Sequence, residues 1–237
     1  MTTSTPVCPV STARDGRSLI DELRAATGPL HQQAERTGLF HRLLSGSAAA
    51  LDYTLMLRNL LPAYEAMEHC LDGLPAEHPV VTIRDPCLYR AEAIRRDLAT
   101  LCGTAWRELP LSHAGNDYGR RIASLGRGAD LRIAGHCYTR YLGDLSGGQI
   151  LRRLLARKPG LPAAAMRFYE FDLPADAADY AIRYIDRLDS LTRDGQEIDA
   201  IVDEAVQAFR LNIALSAELV SPRIQSGEGG STGFGTR

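Results

Sequence analysis

The sequence predicts an all-α protein, and three features of it carry that prediction. Apolar residues recur at three- and four-residue spacing, runs of alternating polar and apolar residues are absent, and alanine, leucine and arginine dominate the periodic segments. The first element opens at Ser18-Leu-Ile-Asp-Glu-Leu-Arg, where Ser18 is the expected N-cap and Asp21 or Glu22 completes a capping box. It should run through His31 to about Glu35, with a kink or break at Gly28-Pro29. A second helix is expected over Ala49 to Leu71, bent at Pro62, and a third over about Arg90 to Leu101. Trp106 to Gly115 reads as connection. Helices then follow at about Asp117 to Ser124 and Ala129 to Ala156, where Lys158-Pro-Gly-Leu-Pro punctuates the chain. Two more, Asp176 to Arg193 and Ile198 to Leu219, close the fold.

The 237 residues contain no stretch resembling a long internal linker, so one domain over residues 18–220 is expected. Residues 1–17 and the Gly/Ser-rich residues 221–237 should be disordered. A domain of this size buries roughly 70% of its unfolded surface and needs no disulfide. Five cysteines, Cys8, Cys70, Cys87, Cys102 and Cys137, form an odd set without zinc-type spacing, which argues for reduced thiols and a cytoplasmic setting. The N-terminus lacks the apolar core of a secretory signal and no apolar run approaches a membrane span. A net charge of −2 supplies no basic field for nucleic acid or an anionic membrane.

Two segments bear chemistry. In Tyr138-Thr-Arg-Tyr-Leu-Gly-Asp-Leu-Ser-Gly-Gly-Gln-Ile-Leu, residues 144–148 alone read as a turn, yet apolar spacing continues on both sides without a change of phase. If the segment is helical, Gly143, Gly147 and Gly148 cost about 2–3 kcal/mol relative to alanine. Such a cost suits close approach of a flat ligand to the helix backbone. Arg140, Asp144 and the later glycines would share one face, placing a carboxylate beside that platform. In Leu23-Arg-Ala-Ala-Thr-Gly-Pro-Leu-His-Gln-Gln-Ala-Glu, His31 and Glu35 are i and i+4, so the carboxylate can fix the imidazole tautomer. A neutral imidazole so held is a good iron ligand, although the same pair also occurs on ordinary exposed helices. The other five histidines form no ligand-spaced cluster.

Together these segments resemble the heme oxygenases. TRYLGDLSGGQIL is similar to that family's distal-helix signature and LRAATGPLHQQAE to its proximal-histidine segment. LPAYEAMEHCL, NDYGRRI, FYEF and EAVQAFRLNIALSAEL extend the likeness, in order, across about residues 18 to 220. The resemblance implies a helical fold with heme b between a proximal helix carrying His31 and a kinked distal helix carrying Gly143, Gly147 and Gly148. It implies that heme is both cofactor and substrate and is converted to biliverdin, carbon monoxide and ferrous iron by O2. Electrons would come from a separate ferredoxin or flavin reductase, because the chain has no flavin, nicotinamide or iron–sulfur motif. A monomer is expected, with no membrane or nucleic-acid partner.

By the same resemblance Asp144 is the catalytic aspartate. Tyr64, Tyr118, Arg140 and Asn212 are the polar groups that hold distal waters, and Arg24 and Tyr138 contact heme. Phe209 joins them as a candidate contact, its alternative being core filler. The chain departs from the family in its basic residues: Gly28 stands at one usual cation position, and Ala181 and Ile185 align with two residues that reach the propionates. Anchoring then falls to Arg24, with Arg183 the next candidate, and heme is free to sit rotated in its plane. A heme-sequestering protein without turnover and a heme-free helical scaffold are the rival readings.

Overall fold

The computed structural model describes residues 16–220 apart from 129 and 175; the expected tails and Cys8 lie largely outside those residues. Among the described residues the structure is helical, with no strand. The elements are α1 (Leu19–Glu35), α2 (Gly38–Leu44), α3 (Ala50–Asp72), α4 (Ala91–Cys102), α5 (His113–Gly126), α6 (Ile133–Cys137), α7 (Gly143–Leu155), α8 (Ala177–Asp189) and α9 (Gly195–Leu219). Short 3₁₀ turns at Pro79–Ile83, Pro86–Leu88, Gly103–Glu108, Ala163–Ala165 and Arg167–Tyr169 connect them.

The Ser18 side chain accepts from the Asp21 N–H as a cap and donates to Asp189, which pins the start of α1 to the end of α8. The break expected at Gly28-Pro29 does not occur, for α1 runs on to Glu35. Pro29 deprives only the Ala25 carbonyl of its donor, and Ala25 lies on the exposed face, open to solvent. The α2 helix escaped the sequence reading because seven residues are too few to display a period. Its signal was Gly38, whose φ of 55° brings the backbone against the Ser216 carbonyl of α9 so closely that a side chain would overlap it. The connection expected from Trp106 to Gly115 is shorter than that, because Ser112 caps α5 and starts it at His113.

The core lies between α3, which buries Tyr53, Leu57, Leu60, Tyr64, Met67 and Leu71, and the surrounding α5, α6 and α9. The helix expected over residues 129–156 is one rod in three parts. A turn of π-helix, Tyr138–Leu142, separates α6 from α7. There is no loop at 144–148; the π-turn widens the backbone immediately ahead of Gly143, a feature of the kind that bends helices.

His136 on this rod was read as an isolated histidine, yet its Nε2 lies 2.9 Å from Glu204 Oε1 of α9, and Arg121 of α5 grips the same carboxylate. Sequence spacing conceals the contact, since 68 residues separate the partners. Burial opposes the Glu204 charge and pushes His136 toward its neutral form, but hydrogen bonds from His136 and Arg121 hold the Glu204 carboxyl down at about 2. A lowered carboxyl contributes stability that is complete above its ordinary value of 4.5 and is lost as pH falls toward 2. Urea unfolding across pH 2.5–7 should therefore show the parent losing its advantage over Glu204→Gln through that window. A constant difference between the two curves would refute the assignment.

Candidate functional site

A cavity of about 430 Å³ opens between α1 on one side and the π-turn with α7 on the other. Arg24, Thr27, Gly28, His31 and Glu35 line it from α1, a spacing that puts them on one helical face. The His31 side chain is 61% exposed, with Nδ1 3.5 Å from Glu35 Oε1 and its ring 6.1 Å from that of Phe209. Glu35 thus stands by Nδ1 and leaves Nε2 free. Phe209 of α9 is buried and lines the slot beside His31, so it is wall as well as core.

On the opposite wall the three glycines divide. Gly143 and Gly147 are exposed to the slot, and nothing stands within 4 Å of where their Cβ atoms would be. Gly148 is buried, and a Cβ there would sit 3.0 Å from the Tyr169 ring. All three glycines line the slot, but Gly148 also packs against the Tyr169 ring, because consecutive helical residues diverge by about 100°.

Beside the glycines lies a polar cluster of Tyr64, Arg140, Asp144 and Asn212, the last three of which also line the slot. Arg140 donates from Nε and Nη2 to the Tyr64 hydroxyl at 2.9 and 2.8 Å, from Nη1 to Asn212 Oδ1 at 3.0 Å, and from Nη2 to Asp144 Oδ1 at 3.2 Å. The Tyr64 hydroxyl donates in turn to Asp144 Oδ2. All four side chains are buried. Burial pushes the Asp144 carboxyl above the ordinary carboxylate range, while the Arg140 charge and the Tyr64 hydrogen bond restrain the rise. Arg140 is held charged: burial works against it, but Tyr64 and Asp144 outweigh that cost. The bend expected at Pro62 does not displace Tyr64 from this cluster.

Tyr118 does not line the slot; it is fully buried beside His136, its ring centre 5.7 Å away, and burial raises its hydroxyl to about 12. That hydroxyl has no partner among the described residues. Tyr138 lines the slot and reaches across it, its hydroxyl 3.3 Å from Thr27 Oγ1. Arg24 lines the mouth, more than half exposed and 3.9 Å from Asp21. Arg183 does not belong here: it lies on the exposed side of α8 near the Tyr180 ring, and α8 turns Ile185 to the slot instead. A two-residue offset on a helix is about 200°, which sends the guanidinium away. Met56, Leu60, Phe168 and Tyr169 are among the remaining lining residues. Long-range packing brings them there, and only the FYEF segment hinted at the last two.

These features define a class: an all-helical protein with a largely apolar slot for a flat ligand, an exposed imidazole on one wall and a buried acid network behind the other. The sequence model described as heme oxygenase matches residues 17–218. Heme oxygenase 1 of Nostoc sp. is 35% identical over 205 residues, spanning 85% of this chain and 86% of that protein. Heme oxygenase 1 of Homo sapiens is 32% identical over 209 residues, spanning 86% and 72%. The crystal structure of heme oxygenase-1 from Synechocystis sp. in complex with heme superposes with a TM-score of 0.81 at 32% identity, covering 90% of this chain and 96% of that one. Heme oxygenase from Leptospira interrogans gives 0.80 at 34%, covering 85% and 100%. The chain belongs to the heme oxygenase family, enzymes that degrade heme. Among the described residues no helix is long and apolar enough to cross a membrane.

Proposed function

We propose that this chain, through a catalytic domain over residues 18–220, cleaves heme b with O2 to biliverdin, carbon monoxide and ferrous iron. The observation that carries the reading is the placement of the exposed His31 imidazole and the two open glycine positions, Gly143 and Gly147, on facing walls of one slot. The slot suits the group: its lining is mainly apolar, its glycine wall leaves room for a ring face, and its axial candidate is a histidine with a free Nε2. Bound heme supplies the redox-active iron and is itself the molecule oxidised.

The chain's own groups do the rest. His31 is the protein's ligand to iron, oriented by Glu35. Asp144 takes up and passes on protons at its carboxylate oxygens, with ordered water between it and the slot. Arg140 fixes the direction of that carboxylate, and Tyr64 and Asn212 hold Arg140 from either side. The Tyr118 hydroxyl, unpartnered among the described residues, is available to an ordered water on the inner side of this network. Gly143 and Gly147 keep the oxygen side clear. Electrons arrive from a separate ferredoxin or flavin reductase, and the enzyme works as a cytoplasmic monomer, in keeping with the unpaired cysteines among the described residues.

Incubating purified protein with hemin, ascorbate and air tests the function. Heme absorption should give way to that of a bilin whose isomer chromatography identifies; a stable red complex would make the protein a heme carrier, and no complex would remove heme from its function. Propionate anchoring rests on Arg24, the exposed cation that lines the slot among the described residues. A charge-assisted hydrogen bond contributes roughly 1.5–3 kcal/mol, so Arg24→Ala should weaken hemin affinity about tenfold or more and broaden the isomer mixture. Unchanged affinity with an unchanged isomer ratio would move the anchor elsewhere.

A further inference from the structure

We propose that Arg90, which does not itself line the slot, is a positioning residue for it: it grips the Phe168–Phe171 segment by its carbonyl oxygens and so holds the Tyr169 ring beneath Gly148 of the distal helix. The inference deepens the reading of the slot as the heme site and rests on it only where heme affinity is the readout.

The segment needs such a grip. Its one regular feature is the 3₁₀ turn Arg167–Tyr169, which leaves most of its backbone groups to find partners outside. The α4 helix supplies them on both polar sides. Asp97 accepts the N–H groups of Arg167 and Phe168 at 3.0 and 2.8 Å. Arg90, which precedes α4, donates to the carbonyl oxygens of Glu170 and, at 3.5 Å, Phe168. The same guanidinium donates to Leu88 at 3.2 Å and Cys87 at 3.0 Å and lies 4.0 Å over the Phe171 ring.

The Arg90 guanidinium is buried, and among the described residues it makes no ion pair. The nearby Glu68 carboxylate accepts the Arg90 and Ala91 backbone N–H groups instead. A buried cation bonded only to neutral carbonyls is a costly arrangement, and the planar fork of arginine is what lets one side chain reach four of them.

What the grip holds lies against the distal machinery. The Tyr169 ring occupies the space that a Gly148 side chain would need, and the Tyr169 carbonyl accepts from Gln149 Nε2 of α7 at 2.9 Å. The Phe168 ring meets the edge of Tyr64, 5.6 Å between centres, and Tyr64 bonds Asp144. Both rings line the slot. Loosening the segment therefore moves one wall of the slot and the support of the tyrosine that orients Asp144.

The test is a cycle on the full chain with Gly148→Ala, Arg90→Lys and the double variant, read by urea unfolding without heme and by hemin titration. If Arg90 holds Tyr169 in place, Gly148→Ala in the parent weakens hemin binding about tenfold, and in the Arg90→Lys background only about threefold or less, because the ring yields. The unfolding cycle should be non-additive in the same sense. Additive effects in both cycles would reduce Arg90 to a general brace and overturn the proposal. Should Arg90→Lys fail to fold, Phe171→Leu removes the stacked ring while keeping the cation and enters the same cycle. A parent that binds no hemin would refute the heme reading alone, and the unfolding cycle would still decide the grip.

Discussion

The His31→Ala protein should fold and take hemin into the slot, yet lose the imidazole-ligated spectrum and biliverdin formation together. The His31 side chain is largely exposed and carries little packing, so the apo protein should unfold within about 0.5 kcal/mol of the parent. Its loss removes the only imidazole that lines the slot among the described residues. Replacing an outer partner of a ligand histidine typically costs about 10–100-fold, and losing the ligand itself should exceed that, so turnover falls by roughly a hundredfold or more. Free imidazole fits the space left behind and should restore part of both spectrum and rate. The Glu35 carboxylate lies 3.5 Å from Nδ1, so Glu35→Gln should give a milder version of the same change. An unchanged spectrum and rate in His31→Ala would place the axial ligand elsewhere.

Asp144→Asn should separate binding from chemistry. The substitution keeps the size of the side chain but gives an amide in place of an acceptor-only carboxylate, and it leaves His31 and the glycine wall untouched. Hemin affinity and spectrum should stay near those of the parent. Biliverdin formation should fall about 10²–10⁴-fold, the usual worth of a positioned proton-transfer group, and peroxide-driven oxidation of an added dye should rise. A second effect follows from the cluster. Arg140 is buried and loses its one carboxylate partner, keeping only Tyr64 and Asn212, and breaking a buried pair costs about 3–5 kcal/mol. The variant should thus be less stable to urea, and more so than His31→Ala. Parent-rate bilin production by Asp144→Asn would show that protons reach the site through other groups.

Much of this molecule was legible in the order of its residues because the signals are local. Ser18 capped α1, the three- and four-residue spacing marked α3, α4, α8 and α9, and His31 with Glu35, like Arg140 with Asp144, met on one face because i and i+4 always do. Residues 144–148 alone read as a turn, a reading that the phase of apolar residues on either side only weakened, and the π-turn carries the helix through them. Where local signals were weak, the reading lost detail. A seven-residue helix shows too few repeats, and the proline in α1 is tolerated because the carbonyl it abandons belongs to an exposed residue, an exposure only the fold decides.

Tertiary structure alone decided which member of each local set faces the slot. Gly147 and Gly148 are equivalent on paper and both line the slot, but the angle at which α7 meets the Tyr169 ring leaves space only over Gly147. Arg183 and Ile185 are two residues apart, and the rotation of α8 turned the apolar one inward. The pairing of His136 with Glu204, the closure of Arg140 by Tyr64 and Asn212, and the grip of Arg90 on Phe168 and Glu170 join residues 68 to 80 positions apart. Such contacts depend on helix packing angles set by the whole core, whereas a helix, a cap or an i,i+4 pair depends on a few neighbours along the chain.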